Sequence, residues 1–501
     1  KPMTSPTTSS ASGTAPSTVN GQTYRGPFAI MTVLFFMWGF MTVFNDILIP
    51  RFKDAFTLNY TEAMLVQFAF FGAYFIGSLA YFFISASTGD PIAKIGYKNG
   101  VIIGLLLSAL GSGLFWPAAS TVSYPLFLVG LFIVGVGFAM LQIAANPYVT
   151  ILGPERTASS RLNLSQAFNS LGTTTGPLIG GFLIFQYFNH YGVHGADSVK
   201  VPYLMFCIAF LILAAIFFMI HLPHVGEGKV EPGAGSLKYP HVVLGVLAIF
   251  MYVGGEVSIG SSIINFLGQK NVASMSAIDA KNYVSLFWGG MLIGRFMGAI
   301  ELSEMRKAKK QLLLVVVPLL AYLFLWGAIS APLDAMHGGS SFGDVLAQWK
   351  NNFVQNWSMF KIYLPLVALC WLLFQFGRAL PGRTLVIFCS TIVVLLALAI
   401  IFGSKMAVWC VVAVGLFTSI GWPNIFSLAL DGMGALKSQV SSLLVMAVFG
   451  GAILPEIMGR VADVAHDLRP AFIIPLIAYS YVGFYGLIGH KIGRAQRALP
   501  A

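Results

Sequence analysis

The sequence predicts an all-α polytopic membrane protein with fourteen transmembrane helices, and three observations carry that prediction. Of its 501 residues, 57% are hydrophobic and only 9% charged, where a soluble chain carries roughly a quarter charged. Apolar stretches of about twenty residues, the length of a lipid-crossing helix, recur from Phe28 to Ile488. The Lys and Arg that set the net charge at +11 are scattered among short connections. That is the positive-inside signature of a bilayer protein and not a nucleic-acid surface.

Taken in order, residues 1–26 are rich in Ser, Thr, Pro and Gly and read as a disordered cytoplasmic tail. The tail lacks the short apolar region of a cleavable signal peptide, so the first span is expected to act as its own insertion signal. Six spans follow near 28–49, 63–86, 99–118, 124–151, 162–188 and 201–221, giving a first bundle over 27–223. The polar stretch "HVGEGKVEPGAGSLKYPH" (224–241) reads as a cytoplasmic linker. Eight more spans lie near 241–267, 283–302, 311–330, 359–377, 383–402, 405–430, 438–460 and 470–490, before a cytoplasmic tail at 491–501. Cys207, Cys370, Cys389 and Cys410 all fall inside spans, so no disulfide framework is expected.

The halves resemble each other. "FMW" (36–38) matches "FMY" (250–252), and "GAYFIG" (72–77) matches "GGMLIG" (289–294) at an offset of 217. Later, "VGF" (136–138) matches "VGL" (414–416) and Asn146 matches Asn424, both at an offset of 278. At the same offset Gly172, Pro177 and Gly181 recur as Gly450, Pro455 and Gly459. The offset grows by 61 residues, about two spans and a loop. The second bundle, 242–305 and 383–490, is therefore a six-helix repeat interrupted by an inserted helical hairpin at 306–382. Two parallel six-helix repeats are the architecture of a major facilitator-type transporter. An even span count puts both termini on one side. That side collects 18 Lys and Arg against 10 on the other, so both termini are expected to be cytoplasmic.

Charges inside spans are unfavourable and usually functional. Asp46 lies four residues before Pro50 in the first span; either it reaches the outer interface near Arg51 or Lys53, or it faces a central cavity and takes up a proton. Glu256 sits deeper, in "MYVGGEVSIGSSIINFLG", and the flanking Gly254, Gly255 and Gly260 are expected to let backbone or substrate come close. Asp46 and Glu256 are the candidate coupling groups. Glu456 and Arg460, four apart, read as an ion pair, and Arg295 and Asp431 as ordinary charges towards the inner face.

Uncharged polar groups add a binding surface. Gln142 and Asn146 stand at i, i+4 in the fourth span, and Asn163, Gln166 and Asn169 form one stripe in the fifth. Amides facing lipid leave donors unmet, so the stripe must face protein or a wet cavity. Helix-to-helix hydrogen bonding is one reading. A polyhydroxylated solute is the other, since each hydroxyl needs a donor and an acceptor. Trp38, Tyr252, Trp288 and Trp422 can cover a sugar ring's apolar face, and Asn265 and Asn424 complete the candidate contacts. All eight histidines fall in loops or at span ends, and no HExxH, Cys/His cluster or P-loop occurs. No enzyme, metal or cofactor is expected, and the energy must come from a gradient.

"FNDILIPRF", "LQIAANPYVTILGPE", "RLNLSQAFNSLGTTTGPLIGG" and "PNIFSLAL" together resemble the fucose:proton symporter family of the major facilitator superfamily, in particular its glucose/galactose and N-acetylglucosamine branch. The resemblance implies coupling by the helix 1 Asp, here Asp46, and a helix 4 Glu, here the non-titrating Gln142. It also implies sugar contacts from Gln166 and Asn169. An Asn of the family is Val43 here. The superfamily's loop 2–3 signature is partial, "GDPIAKIGYK" (89–98), with Gly89, Lys94 and Lys98 in place and Asp90 as a stand-in for its Asp. These four are the candidate inner gate. The expectation is a monomeric inner-membrane importer of a hexose such as glucose or galactose, driven by protons or sodium through alternating access. The alternatives are an N-acetylglucosamine permease and an exporter of drug-like or lipid solutes.

Overall fold

A backbone crossing hydrocarbon must satisfy its own amides, and this chain does so with helices. The computed structural model describes residues 24–43, 52, 56–57, 60–181, 195–220, 232–332 and 342–493. Fourteen membrane helices are built from them. In the first half these are α1 (Arg25–Thr42), α2 (Tyr60–Thr88), α3 (Tyr97–Ser120), α4 (Tyr124–Ile151), α5 (Ala158–Gly181) and α6 (Lys200–Met219). In the second they are α7 (Pro240–Gly268), α8 (Ala277–Glu301), α9 (Lys307–Ile329), α10 (Phe342–Gly377), α11 (Pro381–Ile401), α12 (Ser404–Leu430), α13 (Gly434–Ala465) and α14 (Leu468–Lys491). Among the described residues thirteen are long and apolar enough to cross a bilayer. The exception is α5, whose amides and threonines dilute its apolar content.

First-half helices pack chiefly on one another, α3 on α4, α1 on α5, α2 on α4 and α6 on α3. Second-half helices do likewise, α11 on α14, α7 on α13 and α14, and α8 on α12. The halves meet where α5 lies against α8 and α12, and where α13 lies against α2 and α4. Small residues set some of these distances. At Gly172 a Cβ would stand 2.6 Å from the Phe40 amide nitrogen, so α1 and α5 approach only because no side chain intervenes. The Tyr24 amide donates to the Leu152 carbonyl at 2.9 Å, tying the start of α1 to the end of α4. The face holding both ends of the described chain is called the terminal face below.

Helices α9 and α10, the segment read from the sequence as an inserted hairpin, pack on α8 and α11. Tyr363 of α10 donates to the Leu286 carbonyl at 3.0 Å, and Trp326 of α9 stacks on Phe353 at 3.7 Å. The sequence expectation of a span near 359–377 falls short, because α10 begins at Phe342. The segment with Asp344 and Lys350 contains no helix breaker, so the helix continues beyond the apolar zone. Its 36 residues extend about 54 Å, well past a hydrocarbon core of about 30 Å.

Candidate functional site

The amide stripe of α5 does three different things. Asn163 is fully buried and donates across the halves to Asn424 Oδ1 at 3.0 Å, while also donating to the Ser159 carbonyl at 2.8 Å. Half-buried Asn169 donates to the Phe35 carbonyl at 3.1 Å, tying α5 to α1. Gln166 is 4% exposed; its backbone carbonyl accepts from Arg295, and among the described residues no hydrogen bond reaches its side-chain amide. In α4, Asn146 is fully buried with both side-chain atoms unpartnered. Gln142 lies beside the Tyr74 hydroxyl, which accepts from the Trp38 indole at 3.1 Å.

The second half contributes charge. On α7, Glu256 is 7% exposed and takes a 3.3 Å hydrogen bond from Tyr252, whose hydroxyl also donates to the Thr418 carbonyl at 3.0 Å. Tyr479 stands edge-on to Tyr252 and hydrogen-bonds Thr418 at 2.6 Å. The glycines flanking Glu256 do not open space for substrate. Gly254 faces Leu454 and Gly450, Gly255 faces Tyr479, and Gly260 faces Trp288. Their shared consequence is close helix packing.

Arg295 of α8, read from the sequence as an ordinary charge, is brought into the same region by the fold. It is 7% exposed, donates to the Ser419 carbonyl at 3.2 Å, and crosses the halves to Ser170 Oγ and the Gln166 carbonyl of α5. Its only sequence signal is an arginine inside an apolar helix.

Near the terminal face, polar groups bridge the seam. Gly89 turns the chain with φ of 83°, a left-handed conformation suited to glycine. Fully buried Asp90 then caps the short helix Pro91–Ile95, accepting from Ile92 and Ala93, from Tyr81 at 2.6 Å and from Ser438 of α13 at 2.5 Å. Gln439 bridges Ser85, the Gly233 carbonyl and the Ser236 amide. Ser159 meets Ser427 at 2.5 Å, and Ser160 donates to the Ala299 carbonyl at 2.6 Å. An exposed ion pair joins Arg156 to Glu304, and exposed Glu155 reaches the largely buried Lys437. Lys94 and Lys98 stay within the first half, on the Thr88 carbonyl and on the Phe218 and Ile220 carbonyls.

Other predicted residues scatter. Asn265 is exposed towards the opposite face, in a cleft of 570 Å³ with Gln269, Asp463, His466 and Asp467. It stands nine residues, about 14 Å of helix, beyond Glu256 and outside the central group. Trp288 is 39% exposed beside Gly260, and Trp422 stacks on Phe426. Glu456 and Arg460 pair at 3.1 Å on the surface. Asp46 lies outside the described residues. Among the described residues no group of three or more His, Cys, Asp or Glu gathers to hold a metal ion.

Comparison with known proteins follows the same lines. Residues 28–455 match the family model described as Major Facilitator Superfamily. A glucose/galactose transporter of Brucella abortus is 40% identical over 481 residues, covering 95% of this chain and 96% of the relative. An L-fucose-proton symporter of Escherichia coli is 30% identical over 92% of each. The crystal structure of FucP, a major facilitator transporter in the outward conformation, superposes with a TM-score of 0.69 at 28% identity, covering 95% of this chain and 99% of that one.

Proposed function

We propose, because the chain belongs to the Major Facilitator Superfamily, that it imports a hexose such as glucose or galactose together with a proton. It is a multi-pass transporter and no enzyme. The 40% identical relative is a glucose/galactose transporter, and the 30% identical one is a fucose-proton symporter. The observation that carries the reading is the set of buried amides left over, Asn146 with both side-chain atoms unmet and Gln166 with no side-chain hydrogen bond among the described residues. A buried amide without a partner costs about 1–3 kcal/mol, a deficit that a polyhydroxylated ligand removes and an apolar one does not.

In this reading the terminal face is cytoplasmic, in a bacterial inner membrane, and the bonds of Asp90, Ser438, Gln439 and the α5–α8 seam close the inner side. The two bundles rock about the centre so that the site opens first outwards and then inwards. Gln142, Asn146, Gln166 and Asn169 hold the sugar, Tyr252 and Trp288 flank it, and Asp46 and Glu256 carry the coupled charge. Asn163 and Asn424 pair with each other across the seam and act as gate as much as site. The protein works as a monomer.

The test is uptake of glucose and galactose into proteoliposomes under imposed proton or sodium gradients. A proton gradient should drive accumulation and a sodium gradient should not. In Asp46→Asn, exchange between equal pools should continue while accumulation collapses to about the equilibrium ratio of one. Full accumulation in that variant would remove Asp46 from coupling, and failure to move either sugar would end the hexose reading.

A further inference from the structure

Arg295 is a buried cation whose hydrogen bonds run to neutral groups, the Ser419 carbonyl on its own side and the Gln166 carbonyl and Ser170 hydroxyl across the seam. A buried charge needs compensation. Glu256 is buried on the neighbouring helix: its partner Tyr252 donates to the Thr418 carbonyl and Arg295 to the next carbonyl, Ser419, and among the described residues Glu256 and Arg295 form no ion pair. The other titratable neighbours of Glu256 are Tyr252 on its own helix and Tyr479 on α14, both hydroxyls. On α13, Glu456 and Arg460 are exposed and pair with each other.

These contacts belong to the state closed at the terminal face. Opening that face moves α5 away from α8, so Ser170 and Gln166 leave Arg295. The guanidinium then remains in the second half with the Ser419 carbonyl as its acceptor. We infer that Arg295 is the positioning residue that ties proton release from Glu256 to opening of the terminal face. While α5 occupies Arg295, Glu256 holds its proton. Once α5 leaves, Arg295 turns to the carboxyl, the O–H bond breaks, the proton passes to water on the terminal side, and the carboxylate pairs with the guanidinium. Gln166 joins the two substrates, its side chain facing the sugar and its carbonyl holding Arg295.

The inference rests on the transport reading above, and the experiment separates the two. The full chain in proteoliposomes receives galactose or glucose without any gradient, while an impermeant dye reports proton uptake and a labelled sugar reports counterflow. The wild type should take up protons with sugar. Arg295→Gln should keep measurable counterflow while proton uptake per sugar falls about tenfold or more, with partial rescue in Arg295→Lys, which keeps the charge. Glu256→Gln should lose proton uptake in the same way. If Arg295→Gln does not fold, Ser170→Ala serves. Freeing Arg295 to pair early makes the carboxyl harder to protonate, so the pH profile of counterflow should move to lower pH. An unchanged proton-to-sugar ratio in Arg295→Gln, an equal loss of both fluxes, or an unmoved profile in Ser170→Ala would overturn the role of Arg295. Sugar exchange by the wild type with no proton movement would overturn it too and leave the sugar reading standing, whereas no exchange of either sugar would strike the reading beneath.

Discussion

The centre of the molecule and its terminal-face layer are built from the same residue types, yet they stand in opposite conditions. In the terminal-face layer Asp90 accepts four hydrogen bonds, Gln439 makes three, and Arg161 caps the end of α4 through the Val149, Thr150, Gly153 and Pro154 carbonyls. Further in, Asn146 has both side-chain atoms unmet, and among the described residues no hydrogen bond reaches the Gln166 side chain. Satisfied polar networks fix one arrangement, while unmet groups store a binding deficit. The comparison teaches that the first layer selects a conformation and the second waits for a ligand.

The comparison breaks most visibly at Asp90. Asp90→Ala leaves Tyr81, Ser438 and two backbone amides without their acceptor, and hydrogen bonds to a charged group contribute about 1.5–3 kcal/mol each. Closure of the terminal face should weaken about a hundredfold, read as faster labelling of a cysteine placed at Ser159 by a water-soluble thiol reagent. An unchanged labelling rate would mean that Asp90 only caps its short helix.

Gln166→Ala probes the other layer. It should weaken binding of the transported hexose about tenfold, near 1.4 kcal/mol, with thermal stability nearly unchanged. A large drop in stability with intact affinity would reverse the assignment of layers. Asn146→Val sharpens it further. Removing two unmet polar atoms should hold or raise the unfolding temperature, by up to about 1 kcal/mol in stability, while transport falls. Destabilisation would mean that Asn146 already has a partner in the empty protein. The smallest effect belongs to the exposed pair at the rim. Arg156→Glu should loosen closure by less than about 1 kcal/mol, and adding Glu304→Arg should restore it. Absence of rescue in the thiol-labelling assay would show that the pair contributes nothing.

Much of this was legible in the sequence. Hydropathy and the shared offset of 278 locate the spans and the repeat, because lipid demands long apolar helices and duplicated helices keep their packing residues. The amides of α5 were legible because an amide has no role facing lipid. Arg295 was not, since hydropathy puts it near an end of α8 and gives no sign that Ser170 lies 125 residues away in sequence but within bonding reach. Asp90 was readable as a loop residue near a gate. Its bond to Ser438, 348 residues on, exists only once the halves meet. The long start of α10 escaped notice because a polar helix beyond the membrane resembles a loop in composition.

The inserted hairpin has a mechanical consequence. With α9 and α10 fastened to α8 and α11, the second half is an eight-helix body facing a six-helix one. In a viscous sheet the larger body meets more drag, so in the rocking proposed above the six-helix half turns through the somewhat wider arc.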